Sequence, residues 1–146
     1  TDPTNLIPLF ALAGSNMLTI HLESKGDTTA NLKYIKKSGM NAGLAIKPAT
    51  DWKEVIPYLP LCDMVLVMTV EPGYGGQGFI PQCADKVAML RKYCNENGFD
   101  KMNIQVDGGI NTATAATVKD AGANVLVAGT YLFRAKDMKA AADAIR

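Results

Sequence analysis

Histidine is nearly absent from this sequence, and its scarcity limits the metal sites that the chain could build alone. The 146 residues include a single histidine, His21. Catalytic zinc sites commonly use two or three histidines, so a self-contained multi-histidine centre is excluded. His21 either hydrogen-bonds a ligand or is an interior histidine with its own partner, and both interpretations stay open.

Cysteine is also sparse, and its spacing excludes two further kinds of site. Cys62, Cys83 and Cys94 are an odd number of thiols, and no two of them form a C-x-x-C pair. Neither a disulfide framework nor a zinc cluster is therefore indicated. The pattern predicts buried or half-buried thiols in a reducing, cytoplasmic environment.

The chain lacks both an excess of charge and a long apolar run. Its 15 Lys and Arg residues against 14 Asp and Glu residues leave a net charge of +1, which gives no electrostatic attraction to nucleic acid or an anionic membrane. Apolar runs such as 64–70 fall short of the roughly 20 residues of a membrane span, and residues 1–5 do not resemble a signal peptide. We expect no nucleic-acid partner and no membrane partner.

Short apolar runs alternate with longer amphipathic segments, a pattern typical of βα units in a parallel sheet. The predicted strands are 17–23, 42–47, 64–70, 102–107 and 124–128, and the predicted helices are 4–13, 28–37, 51–59, 81–95, 112–121 and 137–145. The apolar character of 64–68 and 124–128 predicts strands that are buried on both faces. The length predicts one domain over residues 1–146.

Helix ends carry recognisable signals. Asp51 with Glu54 three residues later is a variant of the capping box, and Asn111 is placed to cap the helix that follows it. Glycine can adopt the left-handed backbone conformation that ends a helix. Four predicted helices end in this way, at Gly14, Gly39, Gly98 and Gly122.

The glycine-rich segment 71–79 (EPGYGGQGF) directly follows the third predicted strand. It has four glycines within six positions, so its backbone N–H groups could approach an anion such as phosphate. Ligands of parallel α/β sheets bind at the carboxyl ends of the strands, which is where this segment lies. A plain flexible loop is the alternative.

Two further strand ends are rich in small residues. Asp107 ends the fourth predicted strand and is followed by Gly108 and Gly109, while Gly129 and Thr130 follow the fifth. Two successive strands that are each followed by small residues match the phosphate site that barrel enzymes build from the loops after their seventh and eighth strands. Together they predict a phosphorylated substrate, although Asp107 could instead cap its loop or pair with a lysine.

Two other residues near strand ends have open roles. Met68 is either a core residue or part of a pocket wall. Lys47, which precedes Pro48, is either a surface residue or a charged pocket residue.

Residues 66–77 (LVMTVEPGYGGQ) closely resemble the sixth-strand signature of ribulose-phosphate 3-epimerases. Residues 103–110 (NIQVDGGI) resemble the seventh-strand motif, and residues 43–48 and 19–23 resemble the fifth and fourth strands. The resemblance runs over essentially the whole chain. It implies the α/β class and a (βα)8 TIM barrel, present here as a partial barrel of about five parallel strands, strands four to eight.

The resemblance also implies a reaction, the interconversion of D-ribulose 5-phosphate and D-xylulose 5-phosphate in the pentose phosphate pathway. Two aspartates on opposite faces of the substrate move the C3 proton, and one divalent metal stabilises the enediolate. Zinc or iron(II) is the first expectation for this metal, and manganese or cobalt is the alternative. Asp107 matches a catalytic acid/base that is also a metal ligand. The implied substrate-binding residues are Met68, Gly73, Tyr74, Gly75, Gly76, Asp107, Gly108, Gly109, Gly129 and Thr130. A sugar phosphate and a homo-oligomer are the implied partners.

Several family features have no counterpart here. The second-strand histidine and aspartate, the third-strand histidine and the first-strand serine are missing, and residues 1–3 resemble the stretch after the third strand. We therefore expect a chain that begins three βα units late and has little or no epimerase activity alone. Thr130 stands where the family usually has serine, and Tyr131 is bulkier than the small residue that is common in the family at that position.

Three alternatives remain beside this interpretation. The first is a related barrel enzyme, such as an epimerase of allulose 6-phosphate or a decarboxylase with a similar aspartate-glycine-glycine strand. The second is a non-catalytic, phosphate-binding half-barrel. The third is a five-stranded flavodoxin-like sheet, which the acid at the tip of the fourth strand disfavours. In a partial barrel, we expect the first and last strands to have unpaired edges.

Overall fold

A computed structural model describes residues 2–146 as five parallel strands flanked by helices. The strands are β1 (Met17–His21), β2 (Asn41–Ile46), β3 (Met64–Met68), β4 (Asn103–Asp107) and β5 (Val125–Val127). They form one sheet in the order β1-β2-β3-β4-β5, so each strand pairs with its neighbour in sequence. A flavodoxin-like sheet has the order 2-1-3-4-5. That alternative is therefore wrong, and the sequential order is that of a barrel wall.

Six α-helices and one 3₁₀ helix surround the sheet: α1 (Ile7–Leu12), α2 (Thr28–Lys37), the 3₁₀ helix (Trp52–Leu61), α3 (Gln82–Glu96), α4 (Thr112–Asp120), α5 (Gly129–Phe133) and α6 (Met138–Ile145). The predicted order of strands and helices is confirmed. The sequence pattern missed α5, which is only five residues long. It also placed the start of α1 at residue 4, three residues too early. Proline is tolerated only in the first turn of a helix, and the observed start puts Pro8 there.

The segment predicted as a helix at 51–59 is a 3₁₀ helix that contains Pro57 and Pro60. Neither proline has an N–H to donate, so the regular α-helical bonding pattern cannot continue through this segment. The capping prediction is confirmed: the Asp51 carboxylate accepts from the Lys53 N–H at 2.9 Å, and the Glu54 carboxylate accepts from the Asp51 N–H at 3.2 Å.

The hydrophobic core lies mainly between the sheet and the helices. Leu44, Val65 and Ile104 belong to it, together with side chains from α2, α3 and α4. A smaller cluster lies on the opposite face of the sheet and consists of Ala45, Leu66, Met68 and Val70. All five residues of β3 are buried, as predicted. Burial of β5 on both faces was predicted wrongly, because β5 is an edge strand with three partly exposed residues.

The predicted turns and the predicted burial of the thiols are confirmed. Each of the four glycines at the helix ends has a positive φ, between 80° and 105°. All three cysteines are free and buried. Over residues 2–146, no helix combines the length and the apolar character needed to cross a membrane.

Candidate functional site

An open cleft of about 980 Å³ lies at the carboxyl ends of β3, β4 and β5. All the residues predicted for substrate binding line it: Met68, Gly73, Tyr74, Gly75, Gly76, Asp107, Gly108, Gly109, Gly129 and Thr130. They come from three segments that are far apart in sequence. The parallel sheet brings these segments together because it places all three strand ends at one edge.

Asp107 lies at the centre of the cleft wall. Strand pairing puts it in register with Met68 of β3 and with Val127 of β5. Met68 is only 8% exposed, so it is a core residue that also forms part of the wall. Burial raises the pKa of Asp107 above its ordinary value.

Asp107 was alternatively expected to cap its loop or to pair with a lysine, and neither interaction is observed among residues 2–146. Its carboxylate has no lysine or arginine partner there, and its loop is not capped by it. The carboxylate is thus half-buried without a donor that would stabilise its charge. Such a group is available to exchange a proton with a bound molecule.

The turn after β4 depends on two glycines. Gly108 and Gly109 have φ values of +123° and +66°. A Cβ at Gly108 would clash with the Val70 side chain, and a Cβ at Gly109 would lie 2.5 Å from the Phe79 backbone nitrogen. The exit of β4 therefore packs directly against the segment that follows β3.

Thr69, which is fully buried, holds these two exits together. Its N–H donates to the Asp107 carbonyl at 2.9 Å, and its hydroxyl donates to the Gly108 carbonyl at 2.6 Å. Its own carbonyl accepts from the Ile80 N–H at 2.9 Å. The sequence analysis missed this positioning role. The available signal was a hydroxyl side chain within an apolar run.

The glycine-rich loop is closed by Gln77. Its side-chain amide donates to the carbonyls of Glu71 and Tyr74, at 2.6 and 2.9 Å. The Tyr74 side chain is 75% exposed at the rim of the cleft. A Cβ at Gly75 would lie 3.5 Å from the Thr130 hydroxyl, so the loop also approaches the start of α5.

The two helices that begin beside the cleft differ in how their first N–H groups are used. At α4, the Asn111 side chain accepts from the N–H groups of Ala113 and Thr114, at 3.0 and 3.2 Å, as the capping prediction required. At α5, Ala128 precedes the helix and makes no side-chain capping bond. The first N–H groups of a helix have no partners within the helix. The first N–H groups of α5 therefore have no capping side chain and are open to a ligand.

His21 and Lys47 lie outside the cleft lining. His21 Nδ1 is 3.3 Å from Glu23 Oε2, so this histidine has a side-chain partner, but its side chain is 35% exposed and is not an interior one. The other Glu23 oxygen accepts from the Lys47 N–H at 2.9 Å and from the Thr50 hydroxyl. Burial alone would raise the pKa of Glu23, but these hydrogen bonds outweigh it and lower the pKa. Lys47 is exposed, in agreement with a surface role.

The part of the chain that the structure describes does not fit a complete metal site. It contains no group of three histidine, cysteine, aspartate or glutamate side chains that could hold a metal ion. Asp107 could supply one carboxylate ligand at most. The cleft also contains Arg134, which the sequence analysis did not select and which is the only Lys or Arg among the described lining residues.

Comparison with known proteins shows the family of the chain. The family model described as "Ribulose-phosphate 3 epimerase family" matches residues 1–133. The chain belongs to the ribulose-phosphate 3-epimerase family. One relative is the ribulose-phosphate 3-epimerase of Candida glabrata, which is 45% identical over 93% of this chain and 53% of the relative. Another is that of Chlamydia pneumoniae, which is 40% identical over 94% of this chain and 60% of the relative. That of Bacillus subtilis is 38% identical over 99% of this chain and 67% of the relative. The chain thus spans about half to two thirds of the length of these epimerases.

Two solved structures share the fold. A 3-hexulose-6-phosphate synthase superimposes with a TM-score of 0.71 at 18% identity, over 99% of this chain and 67% of that chain. A structure described as "Native KDPGal structure" has a TM-score of 0.61 at 16% identity, over 97% of this chain and 62% of that chain. At these identities the likeness concerns the fold alone. It confirms the predicted fold class for this member of the epimerase family, an α/β partial barrel of five parallel strands.

Proposed function

We propose that this chain supplies the phosphate-binding part and one acid/base of an isomerase, a ribulose-phosphate 3-epimerase. The reaction interconverts D-ribulose 5-phosphate and D-xylulose 5-phosphate by moving the proton on C3. The observation that carries the proposal is the position of Asp107, half-buried and without a donor, in a cleft lined by Gly108, Gly109, Gly129 and Thr130.

Asp107 would act as the acid/base on one face of the substrate. Inversion at C3 requires a group on each face, because the proton leaves from one side and returns from the other. The raised pKa of Asp107 brings it closer to the operating pH than an ordinary carboxyl, which favours proton transfer in both directions. The other acid of the described lining is Glu71, in an exposed part of the glycine-rich loop. We therefore expect little or no epimerase activity from this chain alone.

The substrate phosphate would bind between the glycine-rich loop and the start of α5. The N–H groups in the first turn of α5 are available to a phosphate oxygen. Glycine at 75 and 129 keeps side chains out of this space, and the Thr130 hydroxyl adds a further donor. Barrel enzymes use the corresponding loops and a short extra helix in this way.

A complete epimerase site would also take one divalent metal, zinc or iron(II). Such an ion acts as a Lewis acid toward enediolate oxygens. Asp107 could be one of its ligands, but the described residues do not provide the others. We assign no step to the metal for this reason.

A chimera tests the proposed role of Asp107. The 136 aligned residues of this chain would replace their counterparts in the Candida glabrata epimerase, and a coupled assay would measure epimerisation. We expect an active chimera, and a loss of about 10²- to 10⁴-fold in kcat for Asp107→Asn, since a positioned acid/base contributes that much. The matched control is Asp100→Asn, an exposed residue outside the cleft. An Asp107→Asn chimera that keeps more than a tenth of the activity would overturn the proposal.

A second candidate is a phosphate-binding half-barrel without catalysis. The observation in its favour is that Glu71 and Asp107 are the only acids of the described lining and only Asp107 is shielded from solvent. Calorimetric titration would compare D-ribulose 5-phosphate with D-ribulose and with allulose 6-phosphate. Binding of sugar phosphates together with an inactive chimera would favour this second function over the first.

The assembly and location of the protein complete the proposal. Exposed apolar side chains on α1, such as Leu9 and Leu12, support a homo-oligomer, which light scattering would test. The three free thiols support a reducing, cytoplasmic environment.

A further inference from the structure

We infer that Arg134 binds the phosphate group of the substrate from the rim of the cleft and makes the site selective for a dianion. The inference rests on the proposed function, since it adds a charged residue to the same phosphate site. Its basis is the position of Arg134 relative to α5, the charge of the cleft lining and the absence of competing partners.

The helical geometry brings Arg134 to the face of α5 that borders the cleft. The Arg134 N–H donates to the Thr130 carbonyl at 3.2 Å, so the two residues are one turn apart. Arg134 itself keeps right-handed helical backbone angles, with φ −91° and ψ −7°. Residues four apart share a helix face, and helical side chains lean toward the N-terminus. This face of α5 also carries Thr130, and both residues line the cleft.

The charge of the lining is a reason why a cation would strengthen the binding of a dianion. Glu71 and Asp107 both line the cleft, and Arg134 is the only Lys or Arg among its described residues. Backbone N–H groups provide partial charges only. A full positive charge beside them would offset the repulsion between the two carboxylates and a phosphate dianion.

The Arg134 guanidinium is free to take this role. Within residues 2–146, its side chain makes no hydrogen bond and no ion pair. Its supporting helix is fixed, because the Tyr131 hydroxyl and the Thr112 hydroxyl are 2.8 Å apart and join α5 to the start of α4. Arginine presents parallel N–H groups that match two phosphate oxygens, a geometry that lysine lacks.

The test is the affinity of this chain for two probes, inorganic phosphate and D-ribulose 5-phosphate, measured by calorimetric titration at constant ionic strength. We expect Arg134→Gln to weaken the binding of both probes by about tenfold, and Arg134→Lys to weaken it by a smaller factor. The matched control is Lys136→Gln, which removes the same charge from an exposed position outside the lining and should change affinity by less than about twofold. Because Arg134 is exposed, circular dichroism and thermal melting should show a folded variant.

The outcomes separate this inference from the function on which it rests. If wild type binds both probes and Arg134→Gln binds them equally well, the inference is overturned while the proposed function stands. If wild type binds neither probe, the proposed phosphate site and the inference both fail. An equal loss in Arg134→Gln and Lys136→Gln would show a general charge effect and would also overturn the inference.

Discussion

At the scale of single residues, Gly109 shows how backbone conformation and close packing combine at one position. Its φ of +66° is unfavourable for a residue with a side chain, and the Phe79 backbone leaves no room for a Cβ. The motif that contains Gly109 is visible in the sequence. The reason for glycine lies in a segment 30 residues earlier in the chain.

The first prediction concerns this position. We expect Gly109→Ala to lower the free energy of unfolding by about 1–3 kcal/mol, since it adds both backbone strain and a clash. The matched control is Gly78→Ala in the glycine-rich loop, where a Cβ meets nothing within 4 Å, and whose effect should stay within about 0.5 kcal/mol. Urea unfolding of both variants would test this, and equal effects would contradict it.

Cys62 gives a second prediction at the residue scale, one that concerns pH. Burial, together with the neighbouring Asp63 carboxylate, raises the pKa of Cys62 to about 12 despite the opposing effect of Lys36. A raised pKa means that the folded state holds the thiol proton more tightly than the unfolded state does. The stability that this contributes is fully present below the unfolded thiol's pKa of about 8.5 and is lost as the pH rises toward the folded value.

The measurement is the change in unfolding free energy between pH 8 and pH 10. For wild type the decrease should exceed that of Cys62→Ala by on the order of 1–2 kcal/mol. The other titrating groups are common to both proteins, so they cancel in the comparison. Parallel pH profiles for the two proteins would contradict the assignment.

At the scale of helices and strands, long side chains join elements that local sequence patterns treat as independent. The Lys86 ammonium of α3 donates to the carbonyls of Lys47 and Pro48, at 3.1 and 2.8 Å, and to that of Thr50. From the other side, the Glu23 carboxylate accepts from the backbone and side chain of the same loop. The loop after β2 is thus held between α3 and the end of β1.

The third prediction follows from this arrangement. Lys86→Met should lower the free energy of unfolding by about 1–3 kcal/mol, because it leaves partly buried carbonyls without a donor. The matched control is Lys92→Met on the same helix, where the side chain is exposed and lies 4.0 Å from Glu96, and where an effect below about 0.5 kcal/mol is expected. Hydrogen exchange at Thr50, whose N–H donates to the Lys47 carbonyl, should become faster in Lys86→Met only. Unchanged exchange there would show that Lys86 does not hold the loop.

At the scale of the whole molecule, the sheet is an open arc with β1 and β5 at its edges. A barrel wall normally has a pairing partner on both sides of every strand. Over the described residues, the outer edges of β1 and β5 have none. The chain covers 53–67% of the three epimerases compared above, which accords with an arc of this size.

The fourth prediction belongs to this scale. In a coupled assay at saturating D-ribulose 5-phosphate, this chain alone should turn over at less than about one hundredth of the rate of the chimera, since the loss of one positioned acid/base already costs 10²-fold or more. Assays with added zinc or iron(II) would show whether metal restores activity. Turnover of the chain alone at a rate comparable to the chimera would refute the idea that a second acid is required.

Much of the fold could be predicted from the sequence because its signals are local. The five apolar runs, the glycines that end helices and the capping residues Asp51 and Asn111 act over a few positions. Each apolar run forms a strand, although the first and third strands end two residues earlier than predicted, and the glycines and caps lie where the pattern placed them. Two of the exceptions have local causes, whereas the partial exposure of β5 comes from its position at the edge of the sheet. Two internal prolines change the helix after β2 into a 3₁₀ helix, and α5 is too short to show a helical period.

The candidate site also contains some residues that could be predicted from local sequence signals and others that only the tertiary structure shows. Asp107 and the two glycines after it could be selected from the sequence, because an acid followed by glycines at a strand end is a recognisable local motif, although capping or pairing with a lysine stayed open there. Only the tertiary structure decided that Asp107 lies between Met68 and Val127, that Thr69 holds the Gly108 carbonyl from 39 residues away, and that Arg134 borders the cleft. These contacts follow from strand order and helix placement, which depend on packing across the whole sheet rather than on the preferences of neighbouring residues.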